Sequence, residues 1–131
     1  VVMANGATLG GHILIEDYAI IGGLVAVHQF CRIGTHAFIG GFSGVLQDIP
    51  PYMLAQGDRT KLYGLNTVGL KRHHFSEETL RALKKSYRTI FRSGLTLEKA
   101  IKQLSEDNIF RVPEVQHLLQ FIQNSKRGIS R

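Results

Sequence analysis

The sequence predicts a parallel β-helix of the hexapeptide type, followed by an α-helical segment. A medium-sized aliphatic residue occupies every sixth position from Met3 to Val45 without a break. Pro50-Pro51 closes that pattern, and from Leu80 onward the aliphatic residues recur at helical spacing. A fixed short period is typical of a solenoid, in which short strands stack coil on coil around a continuous core.

The hexads are the main justification for the solenoid. Their aliphatic positions are Met3, Leu9, Ile15, Ile21, Val27, Ile33, Ile39 and Val45. A run of short antiparallel hairpins would instead show a period of two with turn dipeptides between the strands. The hexads show no such period of two. If three hexads form one triangular coil, residues eighteen apart are stacked at one strand spacing, about 4.7–4.9 Å.

This spacing predicts which residues share a column. Leu9, Val27 and Val45 form one buried column, which places His12 and His28 on the same outer edge of the prism. Gly23 and Gly41 form a second column, eighteen residues apart, with no side chains to fill the space beside it. The sequence therefore predicts an edge with two imidazoles and a groove for a long, thin ligand.

The chain divides into two predicted domains, residues 1–50 and residues 51–131. Proline cannot donate to a strand ladder, so Pro50-Pro51 indicates the boundary. Residues 1–50 contain one basic and three acidic residues, whereas residues 51–131 contain fifteen basic and seven acidic residues. The net charge of +6 therefore combines −2 in the first domain with +8 in the second, so all of the excess positive charge lies in the second domain.

Three helices are predicted in the second domain. Ser76, followed by two glutamates, is a good N-cap for a helix that ends near Gly94. Thr96 is placed to cap a second helix, and Pro113 is suited to the first turn of a third. Their apolar residues recur at three- and four-residue spacing, as in a small helical bundle.

The other face of the first helix is basic. It carries Arg81, Lys84, Lys85, Arg88 and Arg92. No acidic residue follows Glu78 on this helix to form an i,i+4 pair, which favours an anionic partner over a merely solvated face. Candidates are a phosphate-bearing small molecule, an acidic protein and nucleic acid. Nucleic acid is disfavoured because Tyr87 and Phe91 lie on the core stripe, where bases cannot stack on them.

Composition excludes several classes of protein. Cys31 is the only cysteine and occupies a small-residue core position, so we expect a buried thiol, with no disulfide and no metal cluster. No apolar run approaches about 18 residues, so we expect a cytoplasmic protein without a membrane span. Val1 opens within a repeat without a polar cap, so we expect further coils before it.

Several motifs resemble one family along the whole chain. They are Gly-Gly-His at 10–12, Ala-Val-His-Gln-Phe at 26–30, Asp-Ile-Pro-Pro-Tyr at 48–52, Ala-Gln-Gly at 55–57 and Gly-Leu-Lys-Arg at 69–72. Together with the hexads they resemble the C-terminal half of the UDP-N-acetylglucosamine O-acyltransferases. The resemblance implies a homotrimer of left-handed β-helices with C-terminal helical domains.

The resemblance also implies an activity. Members of this family transfer a 3-hydroxyacyl chain from acyl carrier protein to the 3-hydroxyl of UDP-N-acetylglucosamine, the first step of lipid A biosynthesis. The acyl-phosphopantetheine of the carrier is the donor, and no other cofactor is implied. A histidine acts as general base, and an oxyanion hole holds the tetrahedral intermediate of the thioester.

The resemblance assigns roles to individual residues. Gly11 matches the position whose backbone N–H forms the oxyanion hole. His12, His28 and Gln29 match substrate-contacting positions. Asn66 and Arg72 match positions that bind the nucleotide sugar, and Gly41, stacked on Gly23, matches the position that limits acyl-chain length. Arg81, Lys84, Lys85 and Arg88 are the residues that we expect to dock the acidic carrier protein.

The chain departs from the family pattern at three points. The general base of the family precedes Val1, so we expect these residues alone to be inactive. Val68 stands where a carboxylate is common, and His73 where a second arginine is common. His12 is a candidate for a substitute base, because an imidazole can both accept and release a proton at neutral pH.

The sequence also allows two other functions. The first is an N-acyltransferase of the same fold acting on another sugar nucleotide, a reading that Val68 supports. The second is a non-catalytic module for trimerisation and carrier binding. Phe30, Phe38 and Phe42 occupy non-core hexad positions, and the sequence allows them either at the trimer interface or in the acyl groove.

Overall fold

A computed structural model describes residues 1–131, in which ten strands precede four α-helices. The strands are β1 (Val2–Met3), β2 (Thr8–Leu9), β3 (Leu14–Ile15), β4 (Ile20–Ile21), β5 (Ala26–Val27), β6 (Arg32–Ile33), β7 (Phe38–Ile39), β8 (Gly44–Val45), β9 (Met53–Gln56) and β10 (Lys61–Leu65). The helices are α1 (Thr67–Arg72), α2 (Glu77–Tyr87), α3 (Leu97–Ser105) and α4 (Pro113–Gln123). A π-helical turn, Arg88–Arg92, extends α2, and a 3₁₀ turn, Asn108–Arg111, precedes α4.

The first eight strands form the three faces of a solenoid. β1, β4 and β7 are neighbours in one sheet, β2, β5 and β8 form the second sheet, and β3 and β6 form the third. All of these pairs are parallel, and Leu9 pairs with Val27, which pairs with Val45. The predicted stacking of residues eighteen apart is therefore confirmed.

The solenoid core is apolar. The aliphatic side chains of Ile21, Ile33, Ile39 and Val45 are fully buried. Small residues fill the corners between them, and Cys31 is one of these. The predicted burial of Cys31 is confirmed, and this burial raises the pKa of its thiol.

Each corner of the prism turns through a residue in the left-handed region. Positive φ angles recur every sixth residue, at Gly6, His12, Tyr18, Leu24, Phe30, His36 and Phe42. Only the first of these is glycine, although L-residues adopt this conformation at a cost. The result is a column of large side chains along each edge.

The last coil is shorter than the others. Ile33 pairs with Ile49, and Phe38 pairs with Leu54, so the register is sixteen residues instead of eighteen. Pro51 packs closely on Gly34, where an added Cβ would lie 2.3 Å from the proline nitrogen. The sheet thus continues beyond residue 50 into β9, which pairs in antiparallel fashion with β10. An all-α domain from residue 51 is not confirmed, because these strands precede the helices.

The predicted helix starts agree with the structure. The side chain of Ser76 accepts a hydrogen bond from the Thr79 N–H, and that of Thr96 accepts one from Lys99. Pro113 occupies the first turn of α4. α1 is an addition to the predicted set, capped by Asn66. None of the helices is long and apolar enough to cross a membrane.

The C-terminal segment packs back against the solenoid. The buried Asp48 carboxylate accepts hydrogen bonds from the Arg32 N–H (2.8 Å) and from the Ser125 hydroxyl (2.6 Å). The Arg32 guanidinium lies 4.1 Å from the centre of the Phe121 ring. Asp48 also forms a parallel bridge with Ile129. These contacts fix α4 on the face that contains β3 and β6.

Candidate functional site

His12 and His28 lie on the same edge of the prism, as the eighteen-residue spacing of the columns predicts. Residues 10–13 and 28–31 are successive turns of this edge, and the Phe30 N–H donates to the Gly11 carbonyl (3.0 Å). The His12 ring stacks on the Phe30 ring, with centres 5.1 Å apart and planes 4° apart. His28 is exposed, with its Nδ1 3.2 Å from the carbonyl oxygen of Gln29. The edge therefore presents two imidazoles and the exposed Gln29 amide to the surroundings.

Gly10 and Gly11 precede His12 but have different environments. A Cβ at Gly10 would lie 2.6 Å from the Gln29 nitrogen, so packing within the solenoid excludes a side chain there. A Cβ at Gly11 would meet nothing within 4 Å. The Gly11 N–H donates to no backbone carbonyl. Gly11 thus leaves an open approach to a free N–H donor, which is what an oxyanion requires.

Gly23 and Gly41 stack in the predicted column. A Cβ at Gly41 would lie 3.3 Å from the Gly23 carbonyl oxygen, and the Phe42 N–H donates to that same oxygen (2.9 Å). The exposed side chains of Leu24 and Phe42 follow the two glycines. This edge is apolar, but none of the five principal cavities of the single chain includes the glycines, so the acyl groove stays a prediction.

A groove of about 550 Å³ lies where α1 meets the first sheet. Its floor is apolar, formed by residues of β4, β7, β9 and β10, and Asn66, Val68, Arg72 and His73 lie on the α1 side. Arg72 is exposed in the last turn of α1 and has no carboxylate partner. An apolar floor beside a free guanidinium fits a ligand with a ring and an anionic group.

Asn66 has a structural role that the sequence does not reveal. Its side chain accepts from the Gly69 N–H (3.2 Å) and donates to the His36 carbonyl (3.1 Å). It is 9% exposed. Asn66 therefore caps α1 and ties it to the solenoid, and so determines where Arg72 lies.

Val68 and His73, the two departures from the family pattern, lie in this groove. Val68 is 63% exposed, so it adds apolar surface where the resemblance implies a carboxylate. The His73 ring contacts the buried His36 ring edge-on, with centres 4.8 Å apart. Burial is the main cause that lowers the pKa of His36, and the neighbouring His73 lowers this pKa further. His73 therefore belongs to an aromatic cluster as well as to the groove.

That cluster is a feature that sequence reasoning missed. The rings of Tyr18, His36 and Tyr52 stack along one edge of the prism, and Phe75 packs edge-on against the last two. The eighteen-residue spacing of Tyr18 and His36 is the signal that identifies it. Burial is the main cause that raises the pKa of the Tyr52 hydroxyl.

The basic face of α2 is less uniform than predicted. Arg81, Lys84 and Arg88 are exposed and have no acidic partner, as expected. Lys85, however, forms an ion pair with Asp107, which follows α3. The absence of an acid on the helix itself does not reveal this pair, because its partner is twenty-two residues away. The unpaired positive charge on α2 therefore covers a smaller part of the helix surface than the sequence predicts.

The three phenylalanines occupy different environments. Phe30 stacks on His12, and Phe38 lines the groove beside α1. Phe42 is 76% exposed and remains available for either of its predicted roles.

The fold and these sites together define a hexapeptide-repeat solenoid whose edges and C-terminal groove are suited to bind ligands. The family described as "Udp N-acetylglucosamine O-acyltransferase; Domain 2" matches residues 48–130. The chain therefore belongs to the UDP-N-acetylglucosamine O-acyltransferase family.

Individual relatives match nearly the whole chain. An acyl-[acyl-carrier-protein]--UDP-N-acetylglucosamine O-acyltransferase of Nautilia profundicola is 49% identical over 130 residues, which cover 98% of this chain and 49% of the relative. The Myxococcus xanthus protein of the same name is 54% identical over 119 residues, covering 91% of this chain and 46% of the relative. The structure of LpxA from Acinetobacter baumannii superposes with a TM-score of 0.93 at 40% identity, covering 98% of this chain and 50% of that one. The chain spans about half the length of these relatives.

Proposed function

We propose that this chain is the C-terminal half of an enzyme that transfers a 3-hydroxyacyl chain from acyl carrier protein to the 3-hydroxyl of UDP-N-acetylglucosamine, the first step of lipid A biosynthesis. The observation that carries the proposal is the open Gly11 N–H on the edge that presents His12 and His28. Family membership supplies the identity of the substrates. The intact protein is proposed to be a homotrimer of left-handed β-helices.

Each part of the proposed site has a chemical task. The Gly11 N–H stabilises the negative charge that develops on the thioester oxygen. His12, His28 and Gln29 orient the reacting groups on the same edge. The family's general base matches no position of this chain, so we propose that it is contributed by residues outside it. The donor is the acyl-phosphopantetheine of the carrier, and no further cofactor is proposed.

The groove beside α1 is proposed to bind the nucleotide. Its apolar floor suits a base or sugar ring, and Arg72 suits the diphosphate. Gly23 and Gly41 are proposed to border the acyl chain. The unpaired cations of α2 and of the π-helical turn that extends it are proposed to attract the acidic carrier; they are Arg81, Lys84 and Arg88.

Val68 favours a second candidate, an N-acyltransferase that acts on an amino-sugar nucleotide. An exposed valine in the groove provides no carboxylate to hydrogen-bond the ligand. Competition between UDP-N-acetylglucosamine and the corresponding amino-sugar nucleotide in the transfer assay distinguishes these candidates. Preference for the amino-sugar nucleotide would select the second.

The deciding experiment compares Arg72→Gln with Lys71→Gln in the intact protein. Lys71 is the adjacent exposed cation on α1 and does not line the groove. Loss of charge-assisted bonds to a diphosphate is worth about 1.5–3 kcal/mol, so Arg72→Gln should raise the KM for UDP-N-acetylglucosamine by roughly 10–100-fold. Lys71→Gln should change it little. If the intact protein binds carrier but transfers no acyl group, the protein is a binding module and the proposal is wrong.

A further inference from the structure

A second cleft, of about 650 Å³, lies between β10 and α2. We call it the β10–α2 cleft. Three of its lining residues are cations, Lys84, Arg88 and Arg92, and none is acidic. Leu65 lines both this cleft and the groove beside α1, so the two cavities are neighbours.

Arg92 is held in place without a carboxylate. Its Nη2 donates to the Leu62 carbonyl of β10 (2.9 Å), and its Nη1 donates to the Phe91 carbonyl (3.2 Å). The guanidinium carbon lies 5.1 Å from the centre of the Tyr87 ring. A guanidinium has five N–H donors, so donors remain for a ligand after these two bonds. Arg92 is a fixed cation whose charge no acid neutralises.

Lys84 and Arg88 add two exposed cations. They are four residues apart and therefore lie on one side of the helix, and neither has an acidic partner. Like charges at this spacing destabilise a helix by a few tenths of a kcal/mol. An anion bound between them removes that repulsion.

Backbone irregularities occur on both walls of the cleft. The register of β10 shifts between Leu62 and Leu65, and Gly64 within the shift has a φ of +102°. A Cβ at Gly64 would meet nothing within 4 Å, so the backbone is open to a ligand. On the opposite wall, α2 passes into the π-helical turn that contains Arg88 and Arg92. β-Bulges and π-turns are frequent beside functional sites.

We propose that the β10–α2 cleft binds a phosphate ester. Planar guanidinium groups match the oxygens of phosphate, and the cleft offers two of them with a lysine. The source of the phosphate rests on the proposed function, since both proposed substrates contain one. These are the phosphodiester of the carrier's phosphopantetheine arm and the diphosphate of the sugar nucleotide.

The binding test uses inorganic phosphate as the probe and the intact protein carrying Arg72→Gln, which weakens the neighbouring groove. Calorimetry should show that Lys84→Gln with Arg88→Gln weakens phosphate binding at least tenfold. The control pair, Arg81→Gln with Lys85→Gln, removes the same charge from the same helix outside the cleft and should leave binding unchanged. Equal weakening by both pairs, or no phosphate binding before substitution, would overturn the proposal.

Steady-state kinetics identify the source of the phosphate. Lys84→Gln with Arg88→Gln should raise the KM for acyl carrier protein and for free acyl-phosphopantetheine together if the cleft holds the arm. A raised KM for UDP-N-acetylglucosamine alone assigns the cleft to the sugar nucleotide. If no KM changes, a substrate role for the cleft is wrong. Phosphate binding without acyl transfer would leave the cleft standing and remove the proposed function.

Discussion

At the scale of single residues, two adjacent glycines have different reasons to lack a side chain. We predict that Gly10→Ala destabilises the fold by roughly 1–3 kcal/mol, because its Cβ would overlap the Gln29 backbone. Gly11→Ala should leave stability unchanged but lower kcat/KM by about 10–100-fold, because the methyl group displaces the thioester from the N–H. Urea unfolding and the transfer assay on the intact protein measure the two effects. Full activity of Gly11→Ala would contradict the proposed oxyanion hole.

At the scale of elements, helix α1 depends on its cap. We predict that Asn66→Ala lowers the free energy of unfolding by about 1–2 kcal/mol, because the Gly69 N–H and the buried His36 carbonyl both lose their partner. Asn66→Ser keeps a capping oxygen and should recover part of this loss. Denaturant titration checks the stability of both variants. Equal loss in alanine and serine would show that the cap contributes nothing.

At the scale of the whole molecule, the contacts around Asp48 join the helical segment to the solenoid. We predict that amides of β7 and of α4 exchange with the same free energy of opening in native-state hydrogen exchange. Asp48→Ala should lower both values by roughly 2–3 kcal/mol, since it removes two hydrogen bonds to a buried carboxylate. Asp17→Ala, an exposed acid on the same solenoid, is the control. If α4 opens alone at a lower energy, the two parts are independent.

The repeat period made the solenoid predictable from sequence. Stacked coils require an aliphatic residue at a fixed interval, so the sequence alone predicts that Leu9, Val27 and Val45 share a column, and the strand pairing confirms it. The interval fails in the last coil, where Pro51 fits against Gly34 and shortens the register. No periodic signal marks such a change, and the strands after residue 50 were missed for that reason.

The candidate site was predictable only in part. The shared edge of His12 and His28 follows from the period, but the difference between Gly10 and Gly11 does not, because it depends on what faces each position. α1 is six residues long, too short to show helical periodicity, so the capping role of Asn66 was hidden. The Lys85–Asp107 pair required the packing of α2 against a distant segment.

The corner residues with positive φ determine where the sequence of this scaffold can vary. Each non-glycine corner accepts roughly 1–2 kcal/mol of backbone strain, yet histidine, tyrosine, leucine and phenylalanine all occupy equivalent corners. The hexad repeat requires aliphatic residues at the inward positions only, and it does not specify the side chain at these corner positions. Exchanging an exposed corner side chain such as Leu24 or Phe42 therefore changes the surface of one edge and leaves the core intact, whereas the corner residue His36 is buried against Tyr52 and Phe75 and lacks this freedom.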